Sequence, residues 1–399
     1  MKIASIVGAR PQFIKLAPLV RAIRARHRLR SRLKIEHIII HTGQHYDDRM
    51  NRIFFEELGL PDPDYNLGVG SGPHGRQTGE IMKKAEKVLQ KERPDWTLVY
   101  GDTNSTLAGA LAAAKLAQRV AHVEAGLRSY DRRMAEEVNR ILTDHCSHIL
   151  FCPTRRAVQN LEKEGFKNIF AGGRLADMSG KNRSLLAKAS FPWVVNVGDI
   201  MVDALLHSLA IAQRKSKILK ELQLRPGQYD LATIHRAQNT DEQERLKALM
   251  EALLEISRIR AVVFPVHPRT RKYLERLELM SAGSGRLHLI DPVSYFDMLI
   301  LEKNAATIWT DSGGVQKEAY LLKVPCITLR DTTEWPETVE SGWNRLAGSE
   351  PENLQKKLKR ALKQTEELRA SCRQARKDNV YGTGDAAGRI MACLSDTAR

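Results

Sequence analysis

The sequence predicts an α/β protein of two domains, each a parallel sheet flanked by helices. Three observations predict it. Short β-branched runs alternate with segments of helical period along most of the chain. At 399 residues the chain is longer than one compact core accommodates, so two domains of roughly 150 to 200 residues each are expected. The turns that follow the runs carry ionisable or hydrogen-bonding side chains in place of plain turn residues, as ligand-binding ends of open parallel sheets do.

The strand-like runs of the first half are Ile3–Val7, Glu36–His41, Thr97–Tyr100, Val120–Val123 and His148–Phe151. Those of the second half are Leu231–Ile234, Ala261–Val266, Leu287–Ile290, Ala306–Trp309 and Cys326–Leu329. Helix-period segments such as STLAGALAAAKLAQ and DEQERLKALMEALLEIS follow most of them. Residues 1–167 form the expected first domain and 199–378 the second. The weakly periodic stretch 168–198, rich in Gly, Ser and Lys, reads as an inter-domain connection with an extra loop.

Apolar content of 42% and charged content of 28% are those of a soluble globular protein. The excess of 63 Lys and Arg over 47 Asp and Glu gives a net charge of +16, which favours anionic partners without naming them. The basic runs RAIRARHRLRSRLK (21–34) and KKLKRALKQTEELRASCRQARK (356–377) have apolar positions on one face and read as solvated helix faces. They hold no aromatic platform or zinc-finger spacing, so a nucleic-acid partner is not expected. Cys146, Cys152, Cys326, Cys372 and Cys393 form no metal-type pair and fit free thiols in a reducing cytoplasm. No signal pattern opens the chain, and no apolar stretch reaches the roughly 18 residues that span a bilayer. A cytoplasmic protein without membrane association is expected.

The turns read GARPQFIK, TGQHYD, GDTNST, VEAGLRS and CPT in the first half, and IHRAQN, VHPRTRK, DPVSYFD, DSGGVQKE and RDTTEWPE in the second. One such turn is an ordinary helix cap. Ten in series place a site in the cleft between the two domains. In the second half, Ser312, Gly313 and Gly314 at a strand-to-helix turn leave backbone N–H groups free where the helix dipole favours an anion. Glu318, one turn on, can accept from ribose hydroxyls, and His235, Arg236, His267 and Arg269 supply cations. This is a diphosphate pocket that matches neither GxGxxG nor GxxxxGK[ST]. In the first half, Asp102, Glu124 and the Glu136-Glu137 pair gather carboxylates, with Arg10, Lys15 and Arg128 as counter-charges. Carboxylates in a partly dry cleft have their pKa values pushed apart, giving one acid and one base. Together the halves point to acid-base work on the sugar of a nucleotide sugar.

The order and spacing of GARPQFIK, TGQHYD, GDTNSTLAGALAA, AHVEAGLRS, EEVNRILTDH, HRAQNTD, PVHPRTRK, DSGGVQKEA, RDTTEWPETVE and YGTGDAAGRI resemble the non-hydrolysing UDP-N-acetylglucosamine 2-epimerases over nearly the whole chain. The resemblance implies two Rossmann-like domains facing across a cleft, the glycosyltransferase-B architecture, with residues 379–399 forming a C-terminal helix that crosses back to the first domain. It implies reversible conversion of UDP-GlcNAc to UDP-ManNAc through elimination of UDP to a 2-acetamidoglucal and re-addition. Asp102, Glu124 and Glu136 are then the acid-base candidates. Arg10, Lys15 and His235 stabilise the diphosphate, and Arg140 and His267 join them in binding substrate. Ser312, Gly313, Gly314 and Glu318 hold UDP. Gln44, Arg76 and Gln77, with His267, match a site where bacterial members bind a second nucleotide sugar as activator. No metal, nicotinamide or other cofactor is required, and a homodimer is implied. Ala135, Gln238 and Trp335 stand where the family has Pro, a carboxylate and Arg. GARPQFIK and TEWPE, the latter with Trp335, differ from the best-known bacterial epimerases, and related enzymes that epimerise UDP-2,3-diacetamido-2,3-dideoxyglucuronate carry similar substitutions there, which leaves that substrate as the alternative. A UDP-sugar glycosyltransferase of the same fold is the other.

Overall fold

The computed structural model describes residues 1–28, 34–44, 55–170, 173–177, 190–282, 285–348, 360 and 380–396. The chain divides into two compact units, Met1–His207 with Asn379–Arg399, and Ser208–Asp378. Each has its own sheet and its own apolar core.

In the first unit the strands are β1 (Lys2–Val7), β2 (Glu36–His41), β3 (Tyr65–Asn66), β4 (Trp96–Tyr100), β5 (Val120–Val123), β6 (Ile149–Cys152), β7 (Asn168–Phe170) and β8 (Trp193–Asn196). Their order is β3-β2-β1-β4-β5-β6-β8-β7, and every pairing is parallel. Central strands such as β4 and β5 are buried along their full length, as a sheet covered on both faces requires. The helices are α1 (Arg10–Arg28), α2 (His74–Glu92), α3 (Asn104–Lys115), α4 (Ala135–Cys146), α5 (Arg155–Lys163) and α6 (Ile200–Lys215), the last running into the second unit. Thr103 caps α3 by accepting from Thr106 N, while the Thr106 hydroxyl accepts from Thr103 N, a reciprocal capping box. The C-terminal helix Ala386–Asp396 packs against α1. Asp203 of α6 accepts from Ala386 N and Ala387 N at 3.1 and 3.0 Å, and so satisfies the helix's first donors.

The second unit holds β9 (Tyr229–Thr233), β10 (Ala261–Pro265), β11 (Leu287–Ile290), β12 (Ile308–Thr310), β13 (Cys326–Thr328) and β14 (Asn344–Leu346), all parallel, in the order β11-β10-β9-β12-β13-β14. Its helices are α7 (Ile218–Glu221), α8 (Ala237–Thr240), α9 (Gln243–Ile259), α10 (Pro268–Arg276), α11 (Tyr295–Asn304), α12 (Gly313–Leu322) and α13 (Pro336–Glu340). The doubly wound order 3-2-1-4-5-6 occurs in both units. It reverses between β1 and β4 in the first and between β9 and β12 in the second, the positions at which such sheets bind ligands.

Every strand expected from the sequence is present to within three residues at each end. Four more, β3, β7, β8 and β14, join the sheets. Two of them correct the reading of 168–198 as a connection: β7 and β8 are strands of the first sheet, with β8 hydrogen-bonded between β6 and β7. Residues 178–189 of that stretch, Cys372, and residues 29–33, 356–359 and 361–377 of the two basic runs lie outside the described residues.

Candidate active site

The first half-site forms at the reversal between β1 and β4. Gln12, in the first turn of α1, accepts from Gly8 N and Ala9 N at 2.8 and 3.1 Å and donates to Tyr100 O at 3.0 Å, which ties the ends of the two strands together. Lys15, one turn further along α1, pairs with Glu124 at the end of β5, and both side chains are buried. Glu124 has φ +72, the left-handed region that a residue with a Cβ rarely adopts. Asp102, directly after β4, keeps 29% of its side chain exposed and accepts from Arg140 Nη2 at 2.6 Å. Arg140 Nη1 donates to the buried Glu137 at 2.7 Å. Glu137 also accepts from Ser129 N and Tyr130 N at 2.9 Å each, so it shapes the loop before α4. Glu136, its neighbour in the same turn, is half-buried, as is Arg10 at the head of α1. The structure thus joins Lys15 to Glu124 and Asp102 to Arg140. Arg128, expected as a counter-charge to this set, is instead buried against Asp144 and Glu164, with Nη–O distances of 2.8 and 2.6 Å.

Gln44 and Gln77 meet the same region from the other side of the reversal. Gln44 accepts from Ser105 Oγ at 2.6 Å, and Gln77 accepts from Asn104 Nδ2 at 2.8 Å. Both therefore bond to the first turn of α3, immediately after Asp102, while Arg76 is exposed on α2.

The second half-site lies between the ends of β9 and β12. Asp311, fully buried, accepts from His235 N at 3.0 Å, Arg236 N at 2.9 Å and Asn239 Nδ2 at 3.0 Å. His235 Nδ1 is 3.2 Å from the same carboxylate, and the His235 and His267 rings face each other at 5.5 Å between centroids. Ser312 caps α12 through Val315 N, which leaves Gly313 N and Gly314 N at the first two helical positions with no carbonyl of their own helix to bind. Glu318 is buried and accepts from Tyr295 Oη at 3.2 Å. Arg269, expected as a pocket cation, is turned to Asp241, at 2.7 and 2.8 Å. The chemistry left by this arrangement is anion binding at the α12 N-terminus, beside a half-exposed imidazole held by a buried carboxylate.

Sequence reasoning passed over Gln12 and Asp311, which touch backbone more than they face the site. Both lie in the polar turns GARPQFIK and DSGGVQKE, so their position at a strand end is the signal the sequence offers.

The family model described as UDP-N-acetylglucosamine 2-epimerase matches residues 27–395. The chain belongs to that family. A UDP-N-acetylglucosamine 2-epimerase homolog of Methanococcus maripaludis is 54% identical over 357 residues, covering 89% of this chain and 90% of the relative. The crystal structure of Methanocaldococcus jannaschii UDP-GlcNAc 2-epimerase in complex with UDP-GlcNAc and UDP superposes with a TM-score of 0.82 at 44% identity, covering 99% of each chain. The UDP-2,3-diacetamido-2,3-dideoxy-D-glucuronate 2-epimerase of Pseudomonas aeruginosa is 45% identical over 398 residues, 99% of each chain. The departures from the family pattern have definite places. Ala135 opens α4 at the position where Pro is well suited, and Gln238 is exposed in α8. Trp335 is buried, with the Lys317 ammonium 3.9 Å from its ring centroid. Among the described residues, no helix is long and apolar enough to cross a membrane.

Proposed function

We propose that this chain interconverts UDP-GlcNAc and UDP-ManNAc in the cytoplasm, as a homodimer. The observation that carries the reading is the carboxylate set at the first switch point, with Glu124 bound to Lys15 and Asp102 bound to Arg140. A UDP-sugar glycosyltransferase has use for the anion turn of the second unit but leaves this set without a task. The hydrogen on C2 of the sugar is not adjacent to a carbonyl, so it does not leave through a simple enolate. A base takes the C2 proton as the bond from C1 to the UDP oxygen breaks and a C1–C2 double bond forms. UDP then adds back to C1, and a proton is delivered to the opposite face of C2. Asp102, Glu124 and Glu136 are the candidates for these two proton transfers. Lys15 and Arg140 bond two of these carboxylates, Glu124 and Asp102, and Arg10 and Lys15 supply positive charge. In the second unit Ser312, Gly313, Gly314 and Glu318 would hold UDP, with His235 and His267 stabilising the diphosphate as negative charge grows on it. Gln44, Arg76 and Gln77 are proposed for a second nucleotide sugar.

A second reading takes UDP-2,3-diacetamido-2,3-dideoxyglucuronate as substrate. It is favoured by the 45% identity to the enzyme of Pseudomonas aeruginosa that carries that name. Proton NMR of the protein in D2O with each UDP-sugar in turn separates the readings. The expected outcome is a UDP-ManNAc anomeric signal with deuterium at C2. Turnover of the uronate alone moves the assignment to the second substrate, free ManNAc identifies a hydrolysing enzyme, and silence with both removes the proposed activity.

A further inference from the structure

We propose that Asp144 is a positioning residue for proton transfer, holding both flanks of Glu124 with one carboxylate; this rests on the reading of Glu124 as an acid-base group. Asp144 Oδ1 lies 2.7 Å from Nδ1 of His122, two residues before Glu124. Asp144 Oδ2 accepts from the backbone N–H of Gly126, two residues after it, at 3.1 Å. His122 Nε2 is 2.7 Å from Gly101 O, an atom that can only accept, so Nε2 donates. The same chain of bonds therefore also fixes the turn that leads into Asp102. Both His122 and Asp144 are fully buried.

Burial pushes the Asp144 carboxyl up, but the hydrogen bond and charge of His122 and the charge of Arg128 outweigh it and hold the group below the usual carboxylate range. Arg128 reaches Asp144 Oδ2 at 2.8 Å and is anchored at its other end by Glu164, at 2.7 and 2.6 Å.

The reason for such a clamp is the backbone of Glu124. Its φ of +72 is unfavourable for a residue with a Cβ, and such a conformation persists only where its surroundings over-determine it. Glu124 N and Ala125 N converge on Phe151 O, both at 3.1 Å, and the Asp144 bonds close the arrangement on either side. A buried ion cluster serving stability alone has no reason to bond the residues two before and two after one carboxylate. Asp144 also belongs to α4, the helix that carries Glu136 and Arg140, so one rigid element sets all of these groups.

Asp144→Asn tests this. The amide has one accepting oxygen and no charge, so it accepts on one flank only, and the carboxylate that both flanks and Arg128 meet is lost. The expected result is a kcat for C2 hydrogen exchange of UDP-GlcNAc (or of the uronate, if that is the substrate turned over) lower by roughly 10- to 100-fold, with UDP affinity changed by less than about twofold. His122→Gln frees one flank only and should give a smaller loss of the same kind, which decides the matter if Asp144→Asn does not fold. Glu164→Gln loosens the far end of the cluster and should keep kcat within about twofold of the parent. Either Asp144→Asn or His122→Gln, folded and at parental kcat, overturns the proposal. So does a loss of kcat that merely follows the fall in melting temperature across all three variants. Glu124→Gln is measured beside them. If it retains full exchange, the acid-base reading fails and this proposal with it; if it is inactive while Asp144→Asn is not, the positioning role alone is lost.

Discussion

Gly101 shows how closely the acid-base half-site is packed at the level of single residues. It has φ +64, and a Cβ placed on it would lie 2.9 Å from Lys15 Nζ and 3.4 Å from Glu124 Oε1. Gly101→Ala therefore does two things. It imposes a left-handed conformation on an L-residue, which costs about 1–2 kcal/mol of stability. It also pushes Lys15 away from Glu124, which should lower kcat by roughly 10-fold or more while UDP affinity is kept. Thermal melting and kinetics on the one variant separate the two effects. A parental kcat in a destabilised Gly101→Ala protein would mean that the Lys15–Glu124 contact does not set the rate. The sequence made Lys15, Glu124 and Asp102 visible, because charged residues at strand ends are conspicuous. It hid Gln12, Asp144 and Asp311 as supports, because a side chain that binds backbone N–H groups looks like any other polar residue until the strands are laid side by side.

At the scale of one element, α12 carries a buried cation close to its own N-terminus. A helix N-terminus is partially positive and disfavours a cation, yet Lys317 lies in the first turns of α12 with only 2% of its surface exposed. Its ammonium rests on the face of Trp335, and the indole Nε1 is 3.5 Å from where a Cβ on Gly313 would be. Trp335 thus meets both the cation and the Gly313 end of the turn. Close beside it, Glu334 is bonded in bidentate fashion to Arg330, at 2.9 and 3.0 Å. Glu334 Oε2 also lies 3.5 Å from the Gly313 Cβ position, and an anion bound on the turn adds a further favourable charge for Lys317. Lys317→Met should accordingly weaken UDP by about 3- to 30-fold, the upper range of a helix-terminus charge interaction. Uridine, which has no phosphate, should bind equally to both proteins. Calorimetric titrations with UDP and uridine make the comparison, and equal loss of the two ligands would place the effect of Lys317 on the nucleoside. Elements of this kind were legible in part. The strands with β-branched runs are evident from the sequence, whereas β14 (NRL) carries a polar centre and β3 is two residues long, so neither has a periodic signal. The strand β8 (WVVN) was obscured by the Gly-, Ser- and Lys-rich stretch in front of it.

For the whole molecule, the repeated strand order makes the alternation of strands and helices readable as two doubly wound units, and it places the charged turns at both switch points. The net charge of +16 is a property of the same scale. A UDP-sugar carries two negative charges on its diphosphate, and the uronate alternative carries a third. A strongly cationic chain concentrates such ligands near its surface over a distance set by the Debye length, roughly 30 Å at 0.01 M salt and 8 Å at 0.15 M. The kcat/KM should therefore fall by roughly 3- to 10-fold between those ionic strengths, with kcat little changed because chemistry at a bound substrate is not steered. The fall should be steeper for the uronate than for UDP-GlcNAc, since the field acts on one more charge. Steady-state kinetics across a sodium chloride series, with osmolality held constant, measures this directly. A kcat/KM that does not change with salt would mean that the excess positive charge lies too far from the path of the substrate to attract it, and that the buried cations of the half-sites alone account for recognition of the diphosphate.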